Sequence, residues 1–209
     1  MPGLFVPGFG AAPGLYGGGL PTGWTELEPP AYGLTGGAVA RYVDWLAGEL
    51  DARGPVALGG HSFGAALAVL AAAARPDRVE RLVLVAPAGL PLVKPMRASA
   101  ADFVVQVCRG WYPLRQAAVG VSRVARAPRA ALRLAREIYA LDLRAELASL
   151  RHAGVPCTVV AAVTDTLTPT GHCRRLAELA GGEYRELIVT GGHVWFLRSP
   201  ALHRRHLAL

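Results

Sequence analysis

Residues 58–66 read LGGHSFGAA and hold one serine, Ser62, with glycines on both sides. The apolar run before Ser62 predicts a buried strand, and the alanine-rich run after it predicts a buried helix that ends before Pro76. So short a turn between strand and helix forces an unfavourable backbone at its apex. Gly60 and Gly64 have no side chains, and any larger residue would collide with the backbone there. The Ser62 hydroxyl is therefore predicted to stand at the carboxyl edge of a sheet, at the positive end of a helix.

On both sides of this turn, strand-like and helix-like patterns alternate along most of the chain. The strand-like runs are short, almost wholly apolar and flanked by Gly and Pro, which is typical of a parallel sheet covered by helices on both faces. We therefore predict the α/β fold class, with a mostly parallel sheet of about six strands. The predicted strands are 4–6, 24–27, 56–60, 81–86, 154–163 and 184–189, and the predicted helices include 35–50, 63–74, 173–180 and one starting at Ser199.

Residues 88–151 break this alternation. The segment has helical spacing of apolar residues, for instance from Ala130 to Leu150. Because it falls between two predicted strands, we expect an inserted helical cap over the carboxyl edge of the sheet. Residues 1–87 and 152–209 would then form the core.

The net charge of +7 lies entirely within residues 88–151, which hold eleven basic and four acidic residues. One interpretation is a solvated helical face. The other is attraction of an anionic substrate or an acidic carrier protein to a basic cap. The segment has few aromatic residues and no recognised motif, so nucleic acid is not an expected partner.

The remaining composition points to a cytoplasmic protein without a cofactor. Hydrophobic residues make up 52% of the chain, enough for a large core, and no apolar run approaches the length of a membrane span. The N-terminus has no signal-peptide pattern. Cys108, Cys157 and Cys173 show no metal spacing and are expected to be reduced thiols. We predict no metal or cofactor, and the sequence leaves the oligomeric state open.

A serine hydroxyl is a weak nucleophile, so it needs a base to take its proton and an acid to orient that base. In a sheet of this kind the acid and then the histidine should follow later strands. Asp165 follows the strand that ends at Val163, and His193 follows the one that ends near Val189. We predict that Ser62, Asp165 and His193 are catalytic. The alternatives are a turn former or helix cap for Asp165 and an ordinary loop histidine for His193.

Attack on a carbonyl creates an oxyanion, which needs fixed N–H donors. We predict the amide of Phe63, directly after the serine, and the amide of Phe9, in the loop Pro7-Gly8-Phe9-Gly10 after the first strand. His61 precedes the serine and is expected to point into the fold. A further prediction is an apolar substrate pocket lined by Trp111, Tyr112 and Trp195.

These residues together resemble the α/β-hydrolase superfamily over essentially the whole chain. VPGFG (6–10) is similar to the oxyanion loop of that family, with proline where histidine is usual. Residues 59–91 resemble the serine turn, its helix and the next strand, and TDTLTP (164–169) and GGHVWFL (191–197) resemble the acid and histidine loops. The resemblance implies a compact, capped, serine esterase-like member that lacks the usual first two strands. Its sheet edge near the N-terminus would be exposed or covered by a partner chain.

Three functions follow as hypotheses. The first is a carboxylesterase-like serine hydrolase that cleaves carboxylic or thioesters of small to medium acyl groups through an acyl-enzyme. The second keeps the triad but acts on an anionic or carrier-linked substrate, as an acyl-carrier thioesterase or esterase, a C–C bond hydrolase or an elimination enzyme. The third is a binding protein without activity, which the intact Ser–His–Asp set disfavours.

Overall fold

A computed structural model describes residues 2–208, so residues 1 and 209 of the predicted core lie outside the described part of the chain. Across that part, six strands form one parallel sheet with the order β2-β1-β3-β4-β5-β6. This confirms the predicted fold class and strand number. The strands are β1 (Gly3–Val6), β2 (Trp24–Glu26), β3 (Val56–His61), β4 (Val79–Val85), β5 (Cys157–Ala162) and β6 (Glu183–Leu187).

Helices connect the strands and cover the sheet. The helices of the described residues are α1 (Tyr32–Thr35), α2 (Val39–Arg53), α3 (Phe63–Ala74), α4 (Met96–Cys108), α5 (Leu114–Arg126), α6 (Pro128–Ala140), α7 (Arg144–His152), α8 (Thr170–Ala180), α9 (Trp195–Arg198) and α10 (Pro200–Ala208), with short 3-10 turns at Gly17–Gly19, Pro76–Arg78 and Gly192–Val194.

The sheet separates two buried clusters because successive side chains of a strand point to opposite faces. In β4, Leu82 and Leu84 belong to the larger cluster, which also contains apolar residues of α2, α3, α7 and α8. Val83 and Val85 belong to the second cluster, together with Leu207 of α10 and side chains of α9. Helices thus lie on both faces, as predicted.

Four helices, α4 to α7, lie between β4 and β5. The stretch from Ala130 to Leu150, which is predicted to be helical, forms two helices, because α6 and α7 are separated at residues 141–143. Leu141 adopts an extended backbone with ψ 134°, and the Leu143 amide donates a 2.8 Å hydrogen bond to the Gly89 carbonyl. The division into core and cap stays a prediction, and α7 packs against α3 and α8 as a core helix does.

None of the helices formed by residues 2–208 combines the length and the apolar character that crossing a bilayer requires. The cytoplasmic location stays a prediction.

A fully buried histidine makes the second cluster sensitive to acid. His203 of α10 has 0% exposure, and burial lowers its pKa to about 4. The unfolded chain, with a pKa near 6.5, binds a proton more readily between these two values, so the free energy of unfolding falls as the pH drops from about 6.5 towards 4.

We expect the His203→Gln variant, which has no titrating group here, to lose about 2 kcal/mol less stability than the wild type between pH 7 and pH 5. Urea unfolding of both proteins at the two pH values measures the difference. If both proteins lose the same free energy of unfolding between pH 7 and pH 5, His203 is not the group that makes the protein sensitive to acid. Because each protein is compared with itself at pH 7, any packing cost of the substitution cancels.

Candidate active site

The serine turn between β3 and α3 holds Ser62 in a strained conformation. Its backbone has φ 55° and ψ −118°, a region that non-glycine residues rarely occupy, at a cost of about 1–3 kcal/mol. The Ser62 amide donates to the Val85 carbonyl at 3.0 Å, and the Ser62 carbonyl accepts from the amides of Ala65 and Ala88 at 3.1 Å each. These bonds to β4, α3 and the segment after β4 hold the turn in place.

The glycines around Ser62 are required by close backbone contacts. A Cβ atom at Gly64 would lie 2.1 Å from the Val6 carbonyl oxygen, and one at Gly60 would lie 2.5 Å from the Gly64 carbonyl carbon. The first turn of α3 therefore packs directly on the ends of β1 and β3. A larger residue at Gly64 would push α3 away from β1, and one at Gly60 would push it away from β3.

Asp165 and His193 form a buried hydrogen-bonded pair at the ends of β5 and β6. His193 Nδ1 lies 2.8 Å from Asp165 Oδ2, and the two residues are 9% and 4% exposed. Asp165 Oδ1 accepts from the amides of Leu167 and Thr168 at 2.8 and 3.1 Å, and the Thr168 hydroxyl lies 2.8 Å from Oδ2. Since the carboxylate accepts from Nδ1–H, the free lone pair of the ring is on Nε2.

The partners of Asp165 determine the charge of its carboxyl group. Burial by itself would raise the pKa of Asp165, but the nearby His193, its hydrogen bond and the amides of Thr168 and Leu167 lower that pKa by more. The carboxylate is therefore ionised at neutral pH and can stabilise a positive charge on the imidazole.

The Nε2 atom of His193 is buried and has no hydrogen-bond partner within residues 2–208. No bond joins it to the Ser62 hydroxyl there, although both residues border His61. The His61 and His193 ring centroids are 4.6 Å apart, and a Cβ at Gly8 would lie 3.0 Å from His61 Nδ1 and 3.4 Å from Ser62 Cβ. Hydrogen bonds of this kind are often long in the unliganded state of an enzyme and shorten when substrate binds.

The amides around the serine turn and in the loop after β1 differ in whether they have a partner. In the oxyanion loop (residues 7–10), the Gly8 amide donates to the Tyr16 hydroxyl at 3.2 Å and the Gly10 amide to the Tyr32 hydroxyl at 2.9 Å. The amides of Phe9 and Phe63 donate to no acceptor in the described chain, 2–208. Their role as oxyanion donors stays a prediction.

The family to which this chain belongs is shown by a match over almost its whole length. A profile described as the alpha/beta hydrolase family matches residues 4–203. The chain belongs to the α/β hydrolase family. No curated protein matches its sequence significantly.

Solved structures of this family resemble the fold at low sequence identity. A lipase-esterase related protein from Clostridium acetobutylicum ATCC 824 superposes with TM-score 0.73 at 15% identity, covering 99% of this chain and 92% of that one. The enol-lactonase from Burkholderia xenovorans LB400 gives 0.76 at 18%, covering 99% and 90%. Est816, described as an N-acyl homoserine lactone degrading enzyme, gives 0.76 at 19%, covering 100% and 92%. At these identities the likeness shows the fold alone.

A cavity of about 30 Å³ in this α/β hydrolase is lined in part by Phe9 and Phe63. Its wall is mostly apolar, with one guanidinium from α5 and two tyrosines. The residues around it are Pro7, Gly8, Phe9, Ala11, Pro29, Pro30, Tyr32, Tyr42, Phe63, Arg123 and Leu134.

The three aromatic residues predicted to line the substrate pocket have different surroundings. A Cβ at Gly192 would lie 3.9 Å from the Trp111 ring, so Trp111 lies beside Gly192, the residue before His193. Tyr112 is 5% exposed and packs edge-on against Phe103 at 5.1 Å between centroids. Trp195 has 0% exposure and offers no surface to a substrate, because α9 directs its ring into the second cluster. Pocket roles for Trp111 and Tyr112 stay predictions.

Two polar residues near the site, Thr168 and Gln106, were not predicted from the sequence. Thr168 contacts the Asp165 carboxylate, and its position three residues after that aspartate is a local turn signal that could have identified it. Gln106 of α4 has a buried side-chain oxygen without a partner among residues 2–208, and its Cδ would lie 3.9 Å from a Cβ at Gly192. Nothing in the sequence marks Gln106, because only the packing of α4 brings it there.

The cysteines and histidines of this family member do not converge as ligands. Within residues 2–208 no group of three His, Cys, Asp or Glu side chains has the arrangement of a metal site. Burial raises the pKa of Cys157 to about 12 and that of Cys173 further, so both thiols stay protonated. Cys108 is exposed.

Proposed function

We propose that this protein is a carboxylesterase-like serine hydrolase, which cleaves carboxylic or thioesters of small to medium acyl groups. Ser62 would be the nucleophile, His193 the base and Asp165 the orienting acid. The observations that carry the proposal are the buried Asp165–His193 pair, whose Nε2 has no partner within residues 2–208, and a serine held at a strained turn. Residues held in a strained backbone conformation, as Ser62 is, occur mainly at active sites and ligand-binding sites.

In the first half of the proposed reaction, the Ser62 oxygen attacks the acyl carbon and its proton passes to His193 Nε2. The carbonyl electron pair moves to oxygen, and the amides of Phe9 and Phe63 donate to that oxyanion. Asp165 stabilises the imidazolium that forms. When the tetrahedral intermediate collapses, His193 returns the proton to the departing alcohol or thiol and an acyl-serine remains.

In the second half, water replaces the leaving group. His193 Nε2 takes a proton from the water as it attacks the acyl-serine, and a second tetrahedral oxyanion forms on the same amides. Collapse breaks the bond to the Ser62 oxygen, which recovers the proton from His193. The products are the carboxylic acid and the free enzyme, so no cofactor enters the cycle.

The small cavity lined by Phe9 and Phe63 is the pocket that we assign to the acyl group, and its small volume favours short acyl chains. Two of the structural neighbours have names that refer to lactones, which are cyclic esters. Ester cleavage on this fold is therefore a reasonable chemistry for the chain.

A series of p-nitrophenyl esters from acetate through butyrate and octanoate to laurate tests the proposal. We expect kcat/KM to be highest for acetate or butyrate and at least about tenfold lower for laurate, because longer chains exceed the cavity. Ser62→Ala serves as the background control for each ester. Folded protein that turns over none of these esters would contradict the proposal.

A second candidate is an anionic or carrier-linked substrate. It is favoured by Arg123, whose side chain is 20% exposed at the cavity wall and whose partners are the exposed Glu28 carboxylate at 3.4 Å and the Pro29 carbonyl at 3.3 Å. A second-order rate constant that falls with salt for a monosuccinate ester, but not for the acetate, would select this candidate.

A further inference from the structure

A buried pair of polar rings, Tyr16 and His61, lies beneath the candidate site and touches both of its loops. The Tyr16 hydroxyl lies 3.2 Å from the Gly8 amide and 2.8 Å from His61 Nδ1. The other nitrogen of His61, Nε2, lies 2.9 Å from the His193 carbonyl oxygen. The two rings are only 2% and 4% exposed. An unbroken chain of hydrogen bonds therefore joins the oxyanion loop to the backbone of His193.

The direction of each bond in this chain is determined. A carbonyl oxygen only accepts, so His61 Nε2 carries a proton and donates it to His193. Burial lowers the pKa of His61 well below its usual value, so the ring is neutral and Nδ1 is an acceptor. Burial also raises the pKa of Tyr16 well above 10, so its hydroxyl keeps its proton and donates it to Nδ1. The Tyr16 oxygen then accepts from the Gly8 amide.

Two buried polar rings would be costly if packing were their only role. Tyr16 stacks on Phe196 with centroids 4.7 Å apart, and His61 meets the same ring at 4.7 Å, so phenylalanine or leucine would suit this apolar surrounding. Burying a hydroxyl and an imidazole lowers stability unless their hydrogen bonds are made. Two of the three bonds that offset this cost end on backbone groups of the site, the Gly8 amide and the His193 carbonyl.

We propose that Tyr16 and His61 are positioning residues that hold the oxyanion loop and the His193 backbone in register on either side of Ser62. The Gly8 amide is engaged by Tyr16, which leaves the Phe9 amide as the free donor of the loop. A displacement of about 1 Å between donor and base can reduce a rate by about 100-fold. This inference rests on the proposed function.

The first test is Tyr16→Phe, which removes one oxygen atom and keeps the ring. We expect kcat for p-nitrophenyl acetate to fall by about 10- to 100-fold with KM within about twofold, because alignment of the reacting groups is lost and substrate binding is not. Tyr184→Phe is the matched control, since it removes the same atom from a surface hydroxyl that binds Glu186 at 2.7 Å. Its kcat should equal that of the wild type.

The second test compares two replacements of His61. Glutamine offers one donor and one acceptor about as far apart as the ring nitrogens, whereas leucine offers neither. We expect His61→Leu to lose as much kcat as Tyr16→Phe, and His61→Gln to recover most of it. Because the two residues act in one chain, the double variant Tyr16→Phe/His61→Leu should lose no more than the larger single loss.

All rates are expressed per site titrated with a fluorophosphonate, so partial unfolding does not count as lost catalysis. Unchanged kcat per site in Tyr16→Phe and His61→Leu would overturn the inference and leave the proposed function standing. Failure of the wild type to label or turn over esters would instead refute the proposed function.

A measurement on the wild type keeps the inference testable if the variants do not fold. ¹⁵N NMR of the histidine rings at neutral pH should show His61 as the neutral tautomer protonated on Nε2. A cation, or a ring protonated on Nδ1, would break the chain of bonds and overturn the inference.

Discussion

The Ser62→Ala variant should hydrolyse p-nitrophenyl acetate about 10⁶-fold more slowly than the wild type. Its rate would then be hard to distinguish from the uncatalysed hydrolysis of the ester. The loss is this large because without the hydroxyl no acyl-serine forms. The substitution should leave the fold intact. The Ser62 side chain makes no hydrogen bond within residues 2–208, and the bonds of its backbone to Val85, Ala65 and Ala88 remain.

Labelling with a fluorophosphonate checks the same residue without a substrate. Mass spectrometry should find one adduct on the wild type, at Ser62, and none on Ser62→Ala. Ser149→Ala is the matched control, because Ser149 is an exposed serine on α7 outside the site and its variant should label fully. An adduct that persists in Ser62→Ala would assign the nucleophile elsewhere.

Asp165→Asn is expected to lower kcat by about 10³- to 10⁴-fold while the protein stays folded. The asparagine oxygen can still accept from the amides of Leu167 and Thr168, so the loop geometry is kept. An amide nitrogen facing His193 Nδ1 would favour the ring form with its proton on Nε2, which cannot accept from Ser62. The neutral amide would also fail to stabilise the imidazolium.

Steady-state rates of Asp165→Asn and of Asp77→Asn, a surface carboxylate on a side chain 74% exposed, measure this effect against a matched control. The control should keep the wild-type rate. If Asp165→Asn also keeps it, another carboxylate orients the histidine. The first to replace would then be Asp102, which accepts a 2.6 Å hydrogen bond from Thr166 in the acid loop.

The sequence by itself determined the sheet and the places of Ser62, Asp165 and His193 along it. Helix α3 begins and ends where the sequence predicts, and every strand lies within a few residues of its predicted range. These features depend on local physics. Apolar runs bounded by Gly and Pro form strands, and a parallel sheet brings the residues after its strands to one edge, so the order of segments was enough to place the three residues there.

Only the tertiary structure decided which groups around that edge are engaged and which are free. The break between α6 and α7 depends on a bond from Leu143 to Gly89, and the ring of Trp195 is enclosed by its packing into the second cluster. Tyr16 and His61 are 45 residues apart, and His61 and His193 are 132 apart. Contacts of such separation leave no periodicity or turn signal in a single sequence, because they are made by the meeting of loops from different strands.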